Sequence, residues 1–169
     1  MRKLFVIVAL STGLALVATP AFAAGGSPHF IKNATSASLD GSSLVVNFKE
    51  AGLASGATET ITVSATEDVT YECVNGGDKN PAASNKHTFQ TTTSTSGEFT
   101  ADKNGNIVGS LTLSPKSAAD LGFSCPPGQT TTFVSVVYSN VTVTDEDSGA
   151  TISLSGTFTY TNPDAPAIR

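Results

Sequence analysis

The sequence predicts an antiparallel β-sandwich of seven to nine strands held by one disulfide. Three observations lead there. Apolar residues recur with period two and almost nowhere with helical spacing, and Gly, Asn, Asp and Pro interrupt them at short, regular intervals. Thr, Ser, Gly, Ala and Val dominate, Trp is absent and the one Met opens the chain, a composition suited to exposed strands. Two cysteines follow an export signal, and an even count in an oxidising compartment favours pairing. A closed barrel is the alternative architecture.

The opening residues Met1-Arg2-Lys3 are basic, Leu4 to Val17 is an apolar run, and Thr19-Pro-Ala-Phe-Ala23 ends in small residues. That order is an export signal, expected to be cut after Ala23, and the apolar run is short for a membrane span, which needs about 20 residues. Residues 24–27 are read as a short flexible lead, 28–161 as one domain and 162–169 as a tail. No membrane span is expected in the mature chain, and a secreted product follows, extracellular or periplasmic. Removing Arg2 and Lys3 from nine basic residues leaves seven against 14 acidic ones, a net charge of −7. Such a chain repels a phosphate backbone, so no nucleic-acid partner is expected.

Cys73 and Cys125 are expected to form the disulfide. They stand 52 positions apart, so the loop-entropy model assigns the bridge about 4 kcal/mol. A metal or redox pair is disfavoured, because there is no Cys-x-x-Cys and no nearby His set.

Residues 28–39 read as a weakly patterned first strand, turned at Asp40-Gly41 into a second. There Leu44, Val46 and Phe48 alternate with Val45, Asn47 and Lys49, giving a core face and a wet face. Residues 48–53 break that alternation and begin a loop through Ala57. Ile61, Val63, Ala65, Val69, Tyr71 and Cys73 then hold odd-numbered phase without a slip, which favours one long bent strand over a turn at Glu67-Asp68. Asn75 to Asn85 has the turn chemistry of a surface loop.

His87 to Thr95 is rich in Thr and Ser with only Phe89 to bury, which suits a sheet edge. Asn104-Gly105 lies between alternating segments and predicts a hairpin. Residues 115–122 cross between sheets, with room for one helical turn, and deliver the chain to Cys125. Phe133 to Thr144 is the longest β-branched run and has apolar residues on both faces, so it is expected at the centre of a sheet. After the acidic turn at residues 145–149, a last strand carries Ile152, Leu154, Phe158 and Tyr160 inward, with Gly156 marking a bulge or close approach. Strands of this number and spacing imply immunoglobulin-like Greek-key order. Tyr71-Glu-Cys73 echoes an immunoglobulin domain, but the missing Trp and the placing of Cys125 beside Pro126-Pro-Gly128 depart from it. A bridge from a strand end to a loop is expected instead of one across the core.

Five motifs stand out: Pro28-His-Phe30, Phe48-Lys-Glu-Ala-Gly-Leu53, Tyr71-Glu-Cys-Val-Asn-Gly-Gly77, Asn85-Lys86 and Phe123-Ser-Cys-Pro-Pro-Gly-Gln129. Together with Val137 to Asp145 they resemble a group of small secreted microbial proteins, common in filamentous bacteria, that carry no assigned activity. The resemblance implies one exported β domain with one disulfide, and it brings no catalytic residues with it.

Candidate chemistry is sparse. His29 and His87 are the only histidines and neither adjoins a nucleophile motif, so no triad is assigned and no enzyme is expected. The 14 acidic residues single out no pair for glycoside hydrolysis. Asp145, Glu146 and Asp147, joined by Glu67 and Asp68, offer hard oxygens to calcium, but their spacing matches no defined loop and solvated turns look the same. Sugar binding would need an exposed aromatic face, with Tyr71, Tyr138, Tyr160 or Phe99 in place of the missing Trp. The Thr88 to Ser96 edge could accept another strand or stay solvated. Asn33-Ala-Thr35 and Asn140-Val-Thr142 fit the glycosylation pattern without meaning in a bacterium. The expectation is a secreted, monomeric, non-catalytic module with no cofactor, no assigned metal residue, and an extracellular protein or cell-envelope component as partner. The alternatives are a carbohydrate- or calcium-binding module and a small secreted hydrolase.

Overall fold

The computed structural model of the chain describes residues 26–75 and 85–166. The expected export segment, the centre of the loop between Asn75 and Asn85, and the last three residues lie outside the described residues. Nine strands form two antiparallel sheets packed face to face: β1 His29–Phe30, β2 Ser36–Asp40, β3 Ser43–Ala51, β4 Thr58–Asn75, β5 Lys86–Thr100, β6 Ile107–Leu113, β7 Gln129–Asp145, β8 Thr151–Leu154 and β9 Phe158–Thr161. In the smaller sheet β3 lies between β6 and the pair β1 and β2. In the larger sheet the order is β5, β4, β7, with β8 and β9 both on the far side of β7. The chain changes sheet at β3–β4, β5–β6 and β6–β7. This is immunoglobulin-like Greek-key order with β5 in the larger sheet.

The core follows from alternation. Leu44, Val46 and Phe48 of β3 face Ile61, Val63, Val69, Val136, Tyr138, Val141 and Val143 of the opposite sheet, and all are buried. Each buried aliphatic or aromatic side chain contributes about 1.5–3 kcal/mol relative to exposure. Tyr138 is fully buried, and its hydroxyl donates to the Ser42 carbonyl at 3.0 Å, so its polar end is satisfied. Gly109 leaves the space in which the Phe48 and Phe99 rings meet edge to face at 5.1 Å.

The long bent strand is β4, 18 residues without a break. Central β7 bulges against it. Ser64 pairs Thr142 and Thr66 pairs Ser139, so Asn140 and Val141 oppose Ala65 alone. Asn140 takes a φ of 52°, a left-handed conformation that Asn tolerates better than most residues. The Asp40-Gly41 turn joins β2 to β3 as expected, with Asp40 opposite Ser43.

Four expectations are corrected. The first strand is interrupted by a 3-10 turn at Lys32–Ala34, because five residues lie between Phe30 and Ser36 where their β3 partners, Glu50 and Asn47, are separated by two. The alternation of β3 continues past Phe48 to Ala51, and Glu50 takes the next inward position. Residues 101–106 make a tight turn but no hairpin. β5 pairs β4 and β6 pairs β3, so the turn is a corner between sheets, closed by the Asp102 carboxylate accepting the N–H groups of Asn104 and Asn106. The last strand is two short ones, β8 and β9, which pair with β7 on either side of its bulge.

Cys73 and Cys125 are bonded, with their Cα atoms 5.5 Å apart. The bridge ties the end of β4 to the connection between β6 and β7, a strand end to a loop.

Candidate functional site

The registers place the ends of β3 and β7 beside the start of β4. Ile61 pairs Asp145, and Glu50 pairs Ile107 at the neighbouring edge of the other sheet. At this end Glu59, Asp145 and Asp147 each offer a carboxylate oxygen within 4.8 Å of the others. Asp145 is fully buried, Glu59 half-buried and Asp147 exposed. The turn itself orients them. Asp145 Oδ1 accepts the N–H groups of Asp147 at 2.9 Å and Ser148 at 3.2 Å, and Asp147 Oδ2 accepts the Thr60 N–H at 2.7 Å.

Behind Asp145 lies Glu50. It is fully buried, its Oε1 is 3.5 Å from the Ser148 hydroxyl that also donates to Asp145 Oδ2, and its Oε2 is buried without a hydrogen-bond partner among the described residues. Desolvation, followed by the Asp145 charge, pushes the Glu50 carboxyl up to about 8. Glu59 is also raised, by desolvation and then by Asp145 and Asp147. The charges acting on both groups are other carboxylates, with no Lys or Arg among them.

The expected calcium set is therefore redrawn. Asp145 and Asp147 come together as expected, while Glu146 is exposed and makes only a main-chain bond to the Thr60 carbonyl. Glu67 and Asp68 do not join them. Glu67 is buried between the sheets, where its Oε1 accepts the Lys116 N–H at 2.8 Å and desolvation raises its pKa, and Asp68 lies on the outer face of the larger sheet. Glu50 and Glu59 were missed, although the phase contained them. Glu50 continues Leu44, Val46, Phe48, and Glu59 precedes Ile61 and Val63 by the same step.

The other candidates separate. His29 is exposed at the acidic end, its Nδ1 2.8 Å from the Ser27 carbonyl; His87 is exposed near the disulfide end and packs on Phe123 at 5.4 Å. Among the described residues neither bonds a serine hydroxyl or a carboxylate. Tyr71 and Tyr138 are buried, and Tyr160 and Phe99 are half-buried against Phe133 and Phe48, so none presents an open ring face. Asn33 and Asn140 are both exposed. A shallow groove along Ser153–Ser155, where the two sheets meet edge to edge, has Lys32 as its one ionisable side chain.

The outer face of the larger sheet is a lattice of hydroxyls. Ser96, Thr62, Thr144 and Thr151 form one row across four strands, and Ser94, Ser64, Thr142 and Ser153 the next. Neighbours bond each other, Thr62 to Ser96 at 2.8 Å and Ser64 to Thr142 at 2.7 Å. At its margin β5 pairs β4 alone among the described residues, and its outward side chains from Thr88 to Thr100 are all exposed.

No protein-family model matches the chain, and no curated protein matches it.

Proposed function

We propose that the protein is an exported, non-catalytic binding module that engages a protein or cell-envelope partner through the β5 margin of its larger sheet. The carrying observation is the edge of β5: fifteen residues long, paired on one side only among the described residues, without Pro, and with Lys86 and Glu98 as its only charges. An edge of this kind accepts an extended segment by main-chain hydrogen bonding. The adjoining hydroxyl rows supply donors and acceptors for the side chains of such a segment. Export is supported by the basic and apolar opening of the sequence, and the disulfide accords with an oxidising compartment. The described residues contain no helix long and apolar enough to cross a membrane.

Proline scanning tests the reading. Successive residues of a strand direct their N–H groups to opposite sides, so of Thr91 and Thr92 one faces β4 and the other faces outward. Proline at the outward position is compatible with an edge strand, whereas at the other it removes a ladder bond. Purified protein is incubated with cell-wall fractions and culture supernatant of the producing organism. Wild type should be retained, and the variant that melts like wild type should lose at least tenfold in retention. No retention of wild type, or equal retention of that variant, overturns the proposal.

A further inference from the structure

The acidic end carries a site that is independent of the β5 edge. We propose that Glu59, Asp145 and Asp147, with Glu50 set behind Asp145, form a binding site for a divalent cation, and specifically for calcium.

Two observations converge on it. First, three carboxylates from the start of β4 and the end of β7 converge within 4.8 Å. They are brought together by pairing of the strands that carry them, and the Thr60 N–H to Asp147 bond locks the turn against β4. Second, Glu50 arrives from the opposite sheet, fully buried, with one oxygen unpartnered among the described residues and the other sharing the Ser148 hydroxyl with Asp145. Glu50, a buried carboxyl held against a second buried carboxyl with no Lys or Arg among the charges acting on it, is left with an unsatisfied oxygen among the described residues. A cation answers both features at once, by supplying positive charge and by accepting the lone pairs that no donor reaches.

The ligand chemistry selects among cations. The three converging donors are carboxylate oxygens, which suit calcium and magnesium rather than the softer metals. They come from two strands and a turn, at differing depths. Calcium accepts six to eight oxygens in irregular geometry and can complete its shell with water on the exposed Asp147 side, whereas magnesium demands a near-ideal octahedron. A site with exposed members falls in the weak range of extracellular modules, a Kd of about 0.1–1 mM.

The test is titration of purified, disulfide-intact protein with calcium chloride, followed by calorimetry and by thermal melting against a chelator baseline. Saturable one-site binding is expected. At calcium ten times Kd the melting temperature should rise by about 5 °C, since the ion binds the folded state. Glu59→Gln with Asp147→Asn changes only partly exposed side chains; the double variant should fold, and its affinity should fall at least tenfold. Because Asp147→Asn weakens the contact with Thr60, each protein is compared with its own melting point in chelator, and the readout is the shift. Magnesium should give a smaller shift than calcium. No saturable binding and no shift up to 10 mM calcium overturns the proposal, as does an undiminished calcium shift in the double variant.

Discussion

Glu67→Gln separates a buried charge from the fold around it. Glu67 occupies an inward position of β4 between Ala65 and Val69, fully buried, with one oxygen on the Lys116 N–H and the other without a partner among the described residues. Desolvation raises its pKa above the ordinary 4.5, and the Lys116 N–H and charge only partly oppose the rise. The folded protein therefore keeps a proton that the unfolded chain has already released. Stability from this group is fully present below about pH 4.5 and is lost as pH rises through the higher folded value. For one titrating group the slope within that window is at most about 1.4 kcal/mol per pH unit. For a domain of this size the unfolding entropy at the midpoint is about 0.3 kcal/mol/K, so that ceiling equals roughly 4–5 °C per pH unit. Glutamine keeps an oxygen for the Lys116 N–H and cannot titrate. Thermal melts of both proteins between pH 4 and 8 should diverge, with the variant gaining on wild type as pH rises. Other titrating groups, Glu50 included, cancel in the difference. Parallel curves across the range would show that Glu67 titrates alike in both states and would refute the reasoning.

Two further outcomes follow from the corner between β5 and β6 and from the disulfide. Gly105 has a φ of 72°, and a Cβ there would lie 2.1 Å from the Leu53 carbonyl oxygen, beside the Leu53 N–H to Gly105 carbonyl bond. Gly105→Ala should cost about 2–3 kcal/mol from the left-handed backbone and the lost bond, read as a melting point lower by roughly 7–10 °C. Replacing Cys73 and Cys125 by Ser opens a loop of sequence separation 52 and should cost about 4 kcal/mol, or roughly 10–15 °C. A reductant should produce the same fall in wild type, and a fall below about 3 °C would contradict the loop argument.

The individual strands were legible because alternation survives within each of them. The unbroken odd phase from Ile61 to Cys73 identified β4, and the two-faced apolar run after Phe133 identified the centre of the larger sheet. What alternation cannot carry is pairing between strands. Asn104-Gly105 has the chemistry of a hairpin turn, yet the flanking strands part into different sheets, because Phe99 packs on Phe48 while Ile107 pairs Glu50. The interruption at Lys32–Ala34 depends on a mismatch with β3 that the first strand alone does not contain. For the acidic site the signal was present but was read as polarity. Glu50, Glu59, Glu67 and Asp145 all fall in the apolar phase of their strands, while Asp68 and Glu146 do not. Phase separates the first group from the second, and residue type does not.

Phase assigns the burial of these groups, although Glu72 is fully buried on the opposite face of β4, and it does not assign purpose, as Glu50 and Glu67 show. Both are fully buried, and among the described residues both keep an oxygen without a partner. Glu67 holds the Lys116 main chain, and the Tyr71 hydroxyl donates to the carbonyl of the same residue at 2.8 Å, so the carboxyl anchors the connection that carries Cys125. The buried carboxyl is tolerated because its position organises a loop. Glu50 anchors no main chain, and what it meets is a hydroxyl at 3.5 Å shared with another acid. A buried acid that fastens nothing and faces a like charge costs stability in the isolated fold, so an apolar side chain there would hold the sandwich at least as well. The two acids thus divide by what their oxygens hold: Glu67 belongs to the architecture of the disulfide end, and Glu50 acquires a physical reason only when a cation enters the opposite end.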